Sequence, residues 1–503
     1  MNANLYAHIQ AATPSNLDTP VLITEAGRAY TWRELHEETA RCASLLTSLG
    51  LVPGDRVAAQ VDKTPQALFL YLACLRAGFA FLPLNTAYQR GELTYFLGDA
   101  QPRVVVSRPQ TEADIRDLAG AATILYTLDD SGCGTLVDAA GLQPATFETV
   151  VSEPDDLATI IYTSGTTGRS KGAMVTHDNL VSNGRVLVNS WEFTERDVLL
   201  HALPIFHVHG LFVANHCVLL SGARMIWHRK FDAAAVCQDL PGATVLMGVP
   251  TFYSRLLAEQ EFDGATYRSI RLFVSGSAPL LAETFRQFEA RTGQRILERY
   301  GMTEAGMITS NPLRGERKAG TVGPPLPGVS VRAADDQDRP LAIGQTGAIQ
   351  IKGPNVFKGY WNLPEKTRED FTSDGWFRTG DIGVFDSEGY LSIVGRAKDL
   401  IITGGYNVYP KEIEFVLDAL PGVSESAVIG LPHPDFGEAV TAVVVPRQGV
   451  QLDESAIIAK LKRELANYKV PKRVIVLADL PRNAMGKVQK NVLRQTYAAD
   501  DLN

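Results

Sequence analysis

Residues 162–172 are the stretch with the clearest capacity for chemistry, reading Tyr-Thr-Ser-Gly-Thr-Thr-Gly-Arg-Ser-Lys-Gly. Glycine lets a backbone approach a ligand closely, and consecutive backbone N–H groups form a concave site for an anion. The hydroxyl groups add donors, and Arg169 and Lys171 add positive charge. Composition alone is also compatible with a flexible surface turn. The full stretch is typical of a phosphate-binding loop, although in the P-loop of nucleoside triphosphatases Lys directly follows the second Gly.

The neighbouring sequence predicts how this loop is held. The apolar, β-branched run 157–162 predicts a buried strand, and 173–176 predicts a second strand that leads into a helix at His177. Helical and strand patterns alternate through residues 1–150, which predicts an α/β domain with a largely parallel sheet. Residues 320–396 are rich in strand and turn signals, and the chain after residue 398 alternates strands and helices.

Composition excludes several classes of function. The 503 residues are 45% hydrophobic and 21% charged, which is typical of a globular protein of about two to four structural domains. A net charge of −8 gives no support to nucleic-acid binding. The five cysteines are scattered without metal-binding spacing, as in reduced intracellular proteins. Because neither a signal peptide nor a bilayer-spanning apolar run is visible, we expect a cytoplasmic protein that does not bind membranes.

Four more motifs follow the loop: Tyr-Gly-Met-Thr-Glu at 300–304, Thr-Gly-Asp at 379–381, Gly-Arg at 395–396 and Gly-Lys at 486–487. In this order the five motifs resemble the adenylate-forming superfamily of acyl-CoA synthetases, luciferases and peptide-synthetase adenylation domains. The resemblance implies an α/β fold with a large N-terminal domain, residues 1–397, of two helix-flanked, mostly parallel sheets. A β-rich subdomain would occupy about 320–397, and residues 398–503 would form a small, mobile α+β domain.

The resemblance also implies a binding site for ATP. Its residues would be Thr163, Ser164, Gly165, Thr166, Thr167, Gly168, Lys171, Ser277, Ala278, Glu298, Arg299, Tyr300, Gly301, Met302, Thr303, Asp381, Arg396 and Lys487. Tyr300 would stack on adenine, and Asp381 would accept the ribose hydroxyls. Glu304 and Thr163 would hold Mg²⁺, which prefers carboxylate and phosphate oxygens.

Catalysis would rest on Lys487, Glu304, Thr163 and His207. Lys487 would neutralise the anions that meet when a substrate carboxylate attacks the α-phosphate. It is also a candidate target for a lysine acetyltransferase, because acetylation would remove its charge. Lys398 would be the hinge of the small domain.

Coenzyme A would be bound by Lys398 together with Gly404, Gly405 and Tyr406, the residues that correspond to the family's tunnel loop.

The acid substrate would contact His207, Arg255, Ser277 and Met302. His207 stands where amino-acid-activating relatives carry an aspartate, which disfavours an amino acid. Malonate-activating members carry an arginine at the position of Arg255, and a guanidinium can bind a second carboxylate through two hydrogen bonds. On base rates alone, Arg255 would be a solvated surface residue.

Within the superfamily the chain most resembles the malonyl-CoA synthetases, through the stretches 204–210, 248–255 and 275–280. This implies ATP-dependent ligation of malonate to coenzyme A through malonyl-AMP, with release of AMP and pyrophosphate. Three alternatives stay open: another short acid such as methylmalonate, acetate or an aryl acid; an enzyme that loads a carrier protein; and a non-catalytic nucleotide-binding protein. The presence of both Glu304 and Lys487 argues against the last.

Overall fold

The computed structural model of the chain describes residues 2–163, 170–403, 406–433, 436–465, 467–483 and 486–498, with the backbone alone at 406 and 407. The strands in this part are β1 (Pro20–Thr24), β2 (Ala29–Thr31), β3 (Arg56–Gln60), β4 (Ala80–Pro83), β5 (Val104–Ser107), β6 (Ile124–Thr127), β7 (Leu157–Thr163), β8 (Lys171–Thr176), β9 (Val198–His201), β10 (Arg224–Trp227), β11 (Val245–Gly248), β12 (Leu272–Ser275), β13 (Leu297–Met302), β14 (Gly306–Ser310), β15 (Ser330–Ala334), β16 (Gly347–Lys352), β17 (Gly359–Tyr360), β18 (Phe377–Phe385), β19 (Leu391–Arg396), β20 (Ile401–Thr403), β21 (Tyr406–Val408), β22 (Val423–His433), β23 (Gly437–Pro446) and β24 (Arg473–Val476).

The α-helices are α1 (Leu5–Ala12), α2 (Trp32–Ser48), α3 (Pro65–Arg76), α4 (Arg90–Ala100), α5 (Glu112–Ala119), α6 (Thr135–Gly141), α7 (His177–Ser190), α8 (Asn215–Leu219), α9 (Ala233–Asp239), α10 (Pro250–Ala258), α11 (Gly264–Tyr267), α12 (Ala282–Thr292), α13 (Pro364–Asp370), α14 (Pro410–Asp418), α15 (Glu454–Glu464) and α16 (Lys490–Tyr497). A π-helix spans His209–Ala214, and 3₁₀ turns lie at Pro109–Thr111, Leu240–Gly242, Ala397–Asp399 and Asn467–Lys469. Within the described residues no helix has both the length and the apolar surface needed to cross a membrane.

Two large sheets dominate the first part of the fold. One has the order β14-β13-β12-β11-β9-β10-β1-β2, and the other has the order β17-β8-β7-β4-β3-β5-β6. Antiparallel pairs lie near the ends of these orders, and the remaining neighbours are parallel. The expected α/β fold with mostly parallel sheets is therefore confirmed.

Helix α3 shows why this part of the chain forms a deep core. Thr64 caps it by accepting the backbone N–H of Ala67 at 3.1 Å, and Pro65 occupies the first helical position, where no N–H is needed. Its residues from Ala67 to Arg76 are all buried. A helix that is apolar on every side must be enclosed by other elements, and α3 packs in the largest hydrophobic cluster with residues from both sheets.

Two smaller sheets follow. The antiparallel order β15-β16-β18-β19 forms the expected β-rich region and carries the Thr-Gly-Asp motif on β18. Strands β20 to β24 form a separate sheet with its own hydrophobic cluster, against which α14 and α15 pack. The division after residue 397 stays a prediction.

The parallel strands determine where functional side chains collect. In the first sheet Gly248 pairs with Ser275, and Ser275 pairs with Glu298, so β11 and β12 end side by side, next to the start of β13. Ligands on open α/β sheets bind at the carboxyl ends of strands. The candidate phosphate loop joins the antiparallel strands β7 and β8, which pair Tyr162 with Gly172; its residues 164–169 lie outside the described part.

Gly323 provides a test of this packing. It has φ +80°, and a Cβ there would lie 2.1 Å from the carbonyl carbon of Ser310. Gly328 has the same φ, but no described atom outside residues 327–329 lies within 4 Å of the position that a Cβ would take there. We expect Gly328→Ala to lower the free energy of unfolding by about 1–2 kcal/mol, because alanine adopts the left-handed backbone less readily than glycine. Gly323→Ala should lower the free energy of unfolding by more than about 4 kcal/mol, since its Cβ would also overlap the backbone of Ser310. Thermal denaturation compares the two variants, and equal shifts of the melting temperature would contradict the packing described.

Candidate active site

Ser277 lies in the loop after β12 in an unusual backbone conformation. Its φ is +71°, a left-handed value that few residues other than glycine adopt. The Ser277 hydroxyl lies 3.2 Å from Nδ1 of His209, which is buried on the π-helix. Strained backbone persists only where surrounding contacts hold it, and such positions cluster at functional sites. π-helices are also frequent at such sites.

Arg299 on β13 is a buried cation. Arg299 is 3% exposed. Within the described part of the chain, its Nε and Nη2 atoms have no hydrogen-bond partner, and no carboxylate forms an ion pair with its guanidinium. Burial lowers the pKa of its guanidinium to about 9. The group packs directly on Gly276, where a Cβ would lie 2.3 Å from Cζ of Arg299. Glycine is therefore required for the cation to reach this position.

His207 lies in the loop between β9 and the π-helix. Its Nδ1 accepts the backbone N–H of His209 at 3.2 Å, and its carbonyl oxygen accepts from the backbone N–H of Leu211 at 2.8 Å. Desolvation, together with the positive charges of Arg299 and Lys487, lowers the pKa of His207 to about 4. The imidazole is therefore neutral near pH 7 and can donate one hydrogen bond from Nε2.

Glu298, the residue before Arg299, points to the other face of β13, because side chains alternate along a strand. Its carboxyl group is buried and accepts the backbone N–H of Leu280 at 3.2 Å, which holds the loop after β12. Burial raises the pKa of Glu298 to about 7. The side chain therefore supports the loop that carries Ser277.

Tyr300, Asp381 and Arg396 form one cluster. The Tyr300 hydroxyl donates to Asp381 at 2.5 Å, and Nε of Arg396 lies 2.8 Å from the other oxygen of the same carboxylate. Asp381 is 3% exposed, and it pairs with Arg396 across β18 and β19. Two donors thus orient the carboxylate at the edge of the β-rich sheet.

Glu304 lies in the turn between β13 and β14 and is buried. The Tyr360 hydroxyl donates to its Oε1 at 3.2 Å. Nζ of Lys171 lies 4.1 Å from the centre of the Tyr360 ring and 3.5 Å from a carboxylate oxygen of Asp370. Burial raises the pKa of Glu304, and a nearby cation would favour its ionised form.

Lys487 brings the C-terminal part of the chain to this site. Its backbone N–H donates to the Asn483 side chain at 3.0 Å, and the preceding Gly486 approaches Thr251 on α10, with 3.4 Å between an added Cβ and the hydroxyl. The Lys487 residue is exposed as a whole, whereas its ammonium is partly withdrawn from solvent. This desolvation, with the repulsion from Arg396, lowers the pKa of Lys487 to about 8.

A family model described as AMP-binding enzyme matches residues 9–361, and one described as AMP-binding enzyme C-terminal domain matches residues 412–487. The chain belongs to the AMP-binding enzyme family. Malonate–CoA ligase of Arabidopsis thaliana is 35% identical over 531 residues, covering 96% of this chain and 87% of that protein. Feruloyl-CoA synthase of an Amycolatopsis species is 36% identical, covering 94% of this chain and 95% of that protein. The crystal structure of ATP-bound MatB from Rhodopseudomonas palustris has a TM-score of 0.97 at 53% identity, covering 99% of each chain.

In this member of the AMP-binding enzyme family, the predicted residues meet from both halves of the chain. Ser277 and Ala278 follow β12, and Thr163 is the last residue of β7. At the end of β13 and in the turn that follows it, three predicted residues are partly exposed: Gly301, Met302 and Thr303. Several predicted residues lie outside the described part, namely Ser164, Gly165, Thr166, Thr167, Gly168, Gly404, Gly405 and the side chain of Tyr406.

Arg255 and Lys398 are exposed, as Lys487 is. Arg255 lies on α10, and no hydrogen bond or ion pair joins it to another described residue. Lys398 lies in the 3₁₀ turn that follows β19. The roles assigned to both residues stay predictions.

The contacts of Tyr360 and Asp370 with Glu304 and Lys171 were not predicted from the sequence. No local pattern marks them, because β17 and α13 are distant in the chain from the residues that they contact. Arg299 was expected among the ATP-binding residues. Its position beside Glu298 in a short strand gave no separate signal that it would be buried without a partner.

The unpaired state of Arg299 predicts an effect on stability. Replacing a buried unpaired cation by an apolar side chain of similar size is neutral or stabilising, so Arg299→Met should not lower the free energy of unfolding of the ligand-free protein. Arg271→Met is the matched control, since Arg271 lies 2.7 Å from Asp197 and donates to the Trp191 carbonyl at 3.0 Å. The free energy of unfolding of this control variant should fall by about 2 kcal/mol or more. Urea denaturation measures both; greater destabilisation by Arg299→Met would show that Arg299 has a structural partner.

Proposed function

We propose that this enzyme ligates malonate to coenzyme A in two half-reactions, through malonyl-AMP. The similarity to malonate–CoA ligase and to MatB supports an acid of this class. The observation that carries the proposal is Arg299, a buried cation whose Nε and Nη2 atoms have no partner among the described residues and whose charge lowers the pKa of His207. A diacid can place its second carboxylate on that guanidinium, which forms two parallel hydrogen bonds to a carboxylate.

In the first half-reaction, one carboxylate oxygen of malonate forms a bond to the α-phosphorus of ATP, and the bond to the bridging oxygen of pyrophosphate breaks. A carboxylate is already ionised, so no general base is needed. Lys487 would lie between the carboxylate and the α-phosphate and neutralise the charge that accumulates there. Its pKa of about 8 leaves it largely protonated at pH 7.

Glu304 and Thr163 fit a magnesium site, because Mg²⁺ prefers carboxylate and other oxygen ligands alongside substrate phosphates. When bound, the ion would supply further neutralisation of the phosphates. Lys171, which lies near Glu304 across the Tyr360 ring, would contact the same phosphates. Asp381, oriented by Tyr300 and Arg396, would accept the ribose hydroxyls.

In the second half-reaction, the thiol of coenzyme A would attack the acyl carbon of malonyl-AMP, and AMP would leave. We propose that the small domain rotates at Lys398, so that Lys487 withdraws and the loop at 404–406 takes its place. One site would then serve both reactions through a domain motion.

Two further assignments stay proposals. Lys487 would be a target of a lysine acetyltransferase, and loss of its charge would stop adenylation. A cytoplasmic location fits the scattered, unpaired cysteines.

An aryl acid is the second candidate, since feruloyl-CoA synthase is as similar in sequence as malonate–CoA ligase. Methylmalonate and acetate, and the loading of a carrier protein, also stay open. An unpaired buried guanidinium disfavours acids without a second negative charge, because the cation would then stay desolvated and unpaired.

Acid selectivity tests the two arginines. Arg299→Met should lower kcat/KM for malonate by about 30-fold to several-thousand-fold in ATP–pyrophosphate exchange, the expected effect of losing a buried charge partner. Activity with butyrate should change little. Arg255→Met is the comparison variant, and a selective loss there would assign the second carboxylate to Arg255. Equal losses for malonate and butyrate in both variants would contradict recognition of a diacid by either residue.

Lys487 should act in one half-reaction alone. Lys487→Ala should lower malonyl-AMP formation by about 100-fold or more, since the charge at the α-phosphate is no longer neutralised. Thioester formation from supplied malonyl-AMP and coenzyme A should persist. Lys462→Ala, on the exposed face of α15, is the control and should change neither rate. Equal loss of both half-reactions in Lys487→Ala would contradict this division.

A further inference from the structure

Lys63 is a second buried cation, and it lies outside the residues assigned above. It is 8% exposed, and within the described part of the chain no carboxylate is within ion-pair distance of its ammonium. Its Nζ donates to the carbonyl oxygen of His201 at 2.7 Å and lies 2.9 Å from Nδ1 of the same residue. The ammonium also lies 4.3 Å from the centre of the Trp227 ring. Burial lowers the pKa of Lys63 well below its usual value.

The contact joins the two large sheets at the edge that carries the site. Lys63 follows β3 in one sheet and directly precedes Thr64, the cap of α3. His201 is the last residue of β9 in the other sheet, and it pairs with Trp227 on β10. A single side chain thus connects the carboxyl ends of strands from both sheets.

The hydrogen bonds determine which nitrogen of His201 carries the proton. Its Nε2 lies 3.0 Å from the carbonyl oxygen of Gly210, which can only accept a hydrogen bond. Nε2 must therefore be protonated, and Nδ1 of the neutral ring accepts from Lys63. This holds whether Lys63 is charged or neutral, since an amine also has N–H groups. Burial, helped by the charge of Lys63, lowers the pKa of His201 well below its usual value.

The bond from His201 to Gly210 closes the loop that carries His207. Both ends of residues 202–209 are thereby held by one imidazole. The loop is tightly packed at this point, because a Cβ on Gly210 would lie 2.0 Å from the Pro204 carbonyl oxygen. Two histidines of this loop face the site: His207 is close enough to Arg299 for its charge to lower the histidine pKa, and His209 lies within hydrogen-bond distance of Ser277.

We propose that Lys63 is a positioning residue for the acid site, which acts by holding His201 in the Nε2–H tautomer that closes the 202–209 loop over the substrate. The inference rests on the proposed activation of a small acid. Without the amine, Nδ1 of His201 loses its donor and the other tautomer becomes accessible. That tautomer would place a lone pair against the Gly210 carbonyl, and the loop would lose its closing bond.

Lys63→Met removes the N–H groups and keeps a side chain of similar length, whereas Lys63→Gln keeps a donor. In ATP–pyrophosphate exchange, Lys63→Met should raise KM for malonate by about 5- to 100-fold, as expected for an unsatisfied buried group. KM for ATP should change by less than about twofold, and Lys63→Gln should restore part of the loss. Tyr6→Phe is the control, since it removes a partly buried tyrosine–histidine hydrogen bond of 2.8 Å to His36 elsewhere in the same part of the fold.

A second pair of variants keeps the test decisive if Lys63→Met does not fold. His201→Gln can still place an amide N–H toward the Gly210 carbonyl, and His201→Leu cannot. KM for malonate should be near the wild-type value in the first and raised in the second. Circular dichroism and melting temperature establish that each variant is folded.

The outcomes separate this inference from the proposed function. If KM for malonate and KM for ATP rise equally, or if His201→Gln and His201→Leu behave alike, the positioning role is overturned while the function stands. If the wild-type enzyme exchanges with another acid and not with malonate, the same comparison with that acid tests the inference, and the assignment of malonate alone is wrong. If the wild type exchanges with no acid, both fail.

Discussion

Positive charge that the protein itself leaves unneutralised is the constraint on which the arrangement of this site depends. The chain carries a net charge of −8, yet its site contains cations that no described carboxylate pairs with. A charge removed from water costs several kcal/mol, so such groups persist only where rigid surroundings hold them. Arg299 is held on a central strand against Gly276, and Lys63 is held between two sheets. Under the proposed function an anionic substrate would pair with Arg299, whereas Lys63 hydrogen-bonds to His201 within the protein.

The rest of the architecture brings these cations to one place. The parallel strands β9 and β12 end at a common edge, where His209 reaches Ser277, and Tyr300 of β13 joins the cluster around Asp381 in the β-rich sheet. The C-terminal part contributes Lys487 through the contact of Gly486 with Thr251. Lys487 lies between β24 and α16, in the part of the chain whose sheet has its own hydrophobic cluster. The proposed withdrawal of Lys487 between the two half-reactions would require this part to move relative to the rest of the site.

Much of this could be predicted from the sequence. The run 157–162 contains enough β-branched and apolar residues to specify a buried strand, and the helix expected at His177 begins there as α7. The order of the motifs along the chain was sufficient to predict the family and the fold. Arg255 shows the limit of such reasoning: α10 is nine residues long, and its sequence does not determine which turn faces a cavity. The structure leaves that side chain exposed, and its role stays a prediction.

The sequence by itself determined the family, the α/β class, the strands around the phosphate loop and the identity of Glu304, Asp381 and Lys487 as candidates, because these depend on local patterns and on motif order. Only the tertiary structure decided which cations lack partners and which histidine tautomer closes the 202–209 loop. Tyr360 reaches Glu304, and Lys63 reaches His201, across long separations in the chain. Such contacts follow from how sheets pack, and pairing, burial and protonation are properties of that packing.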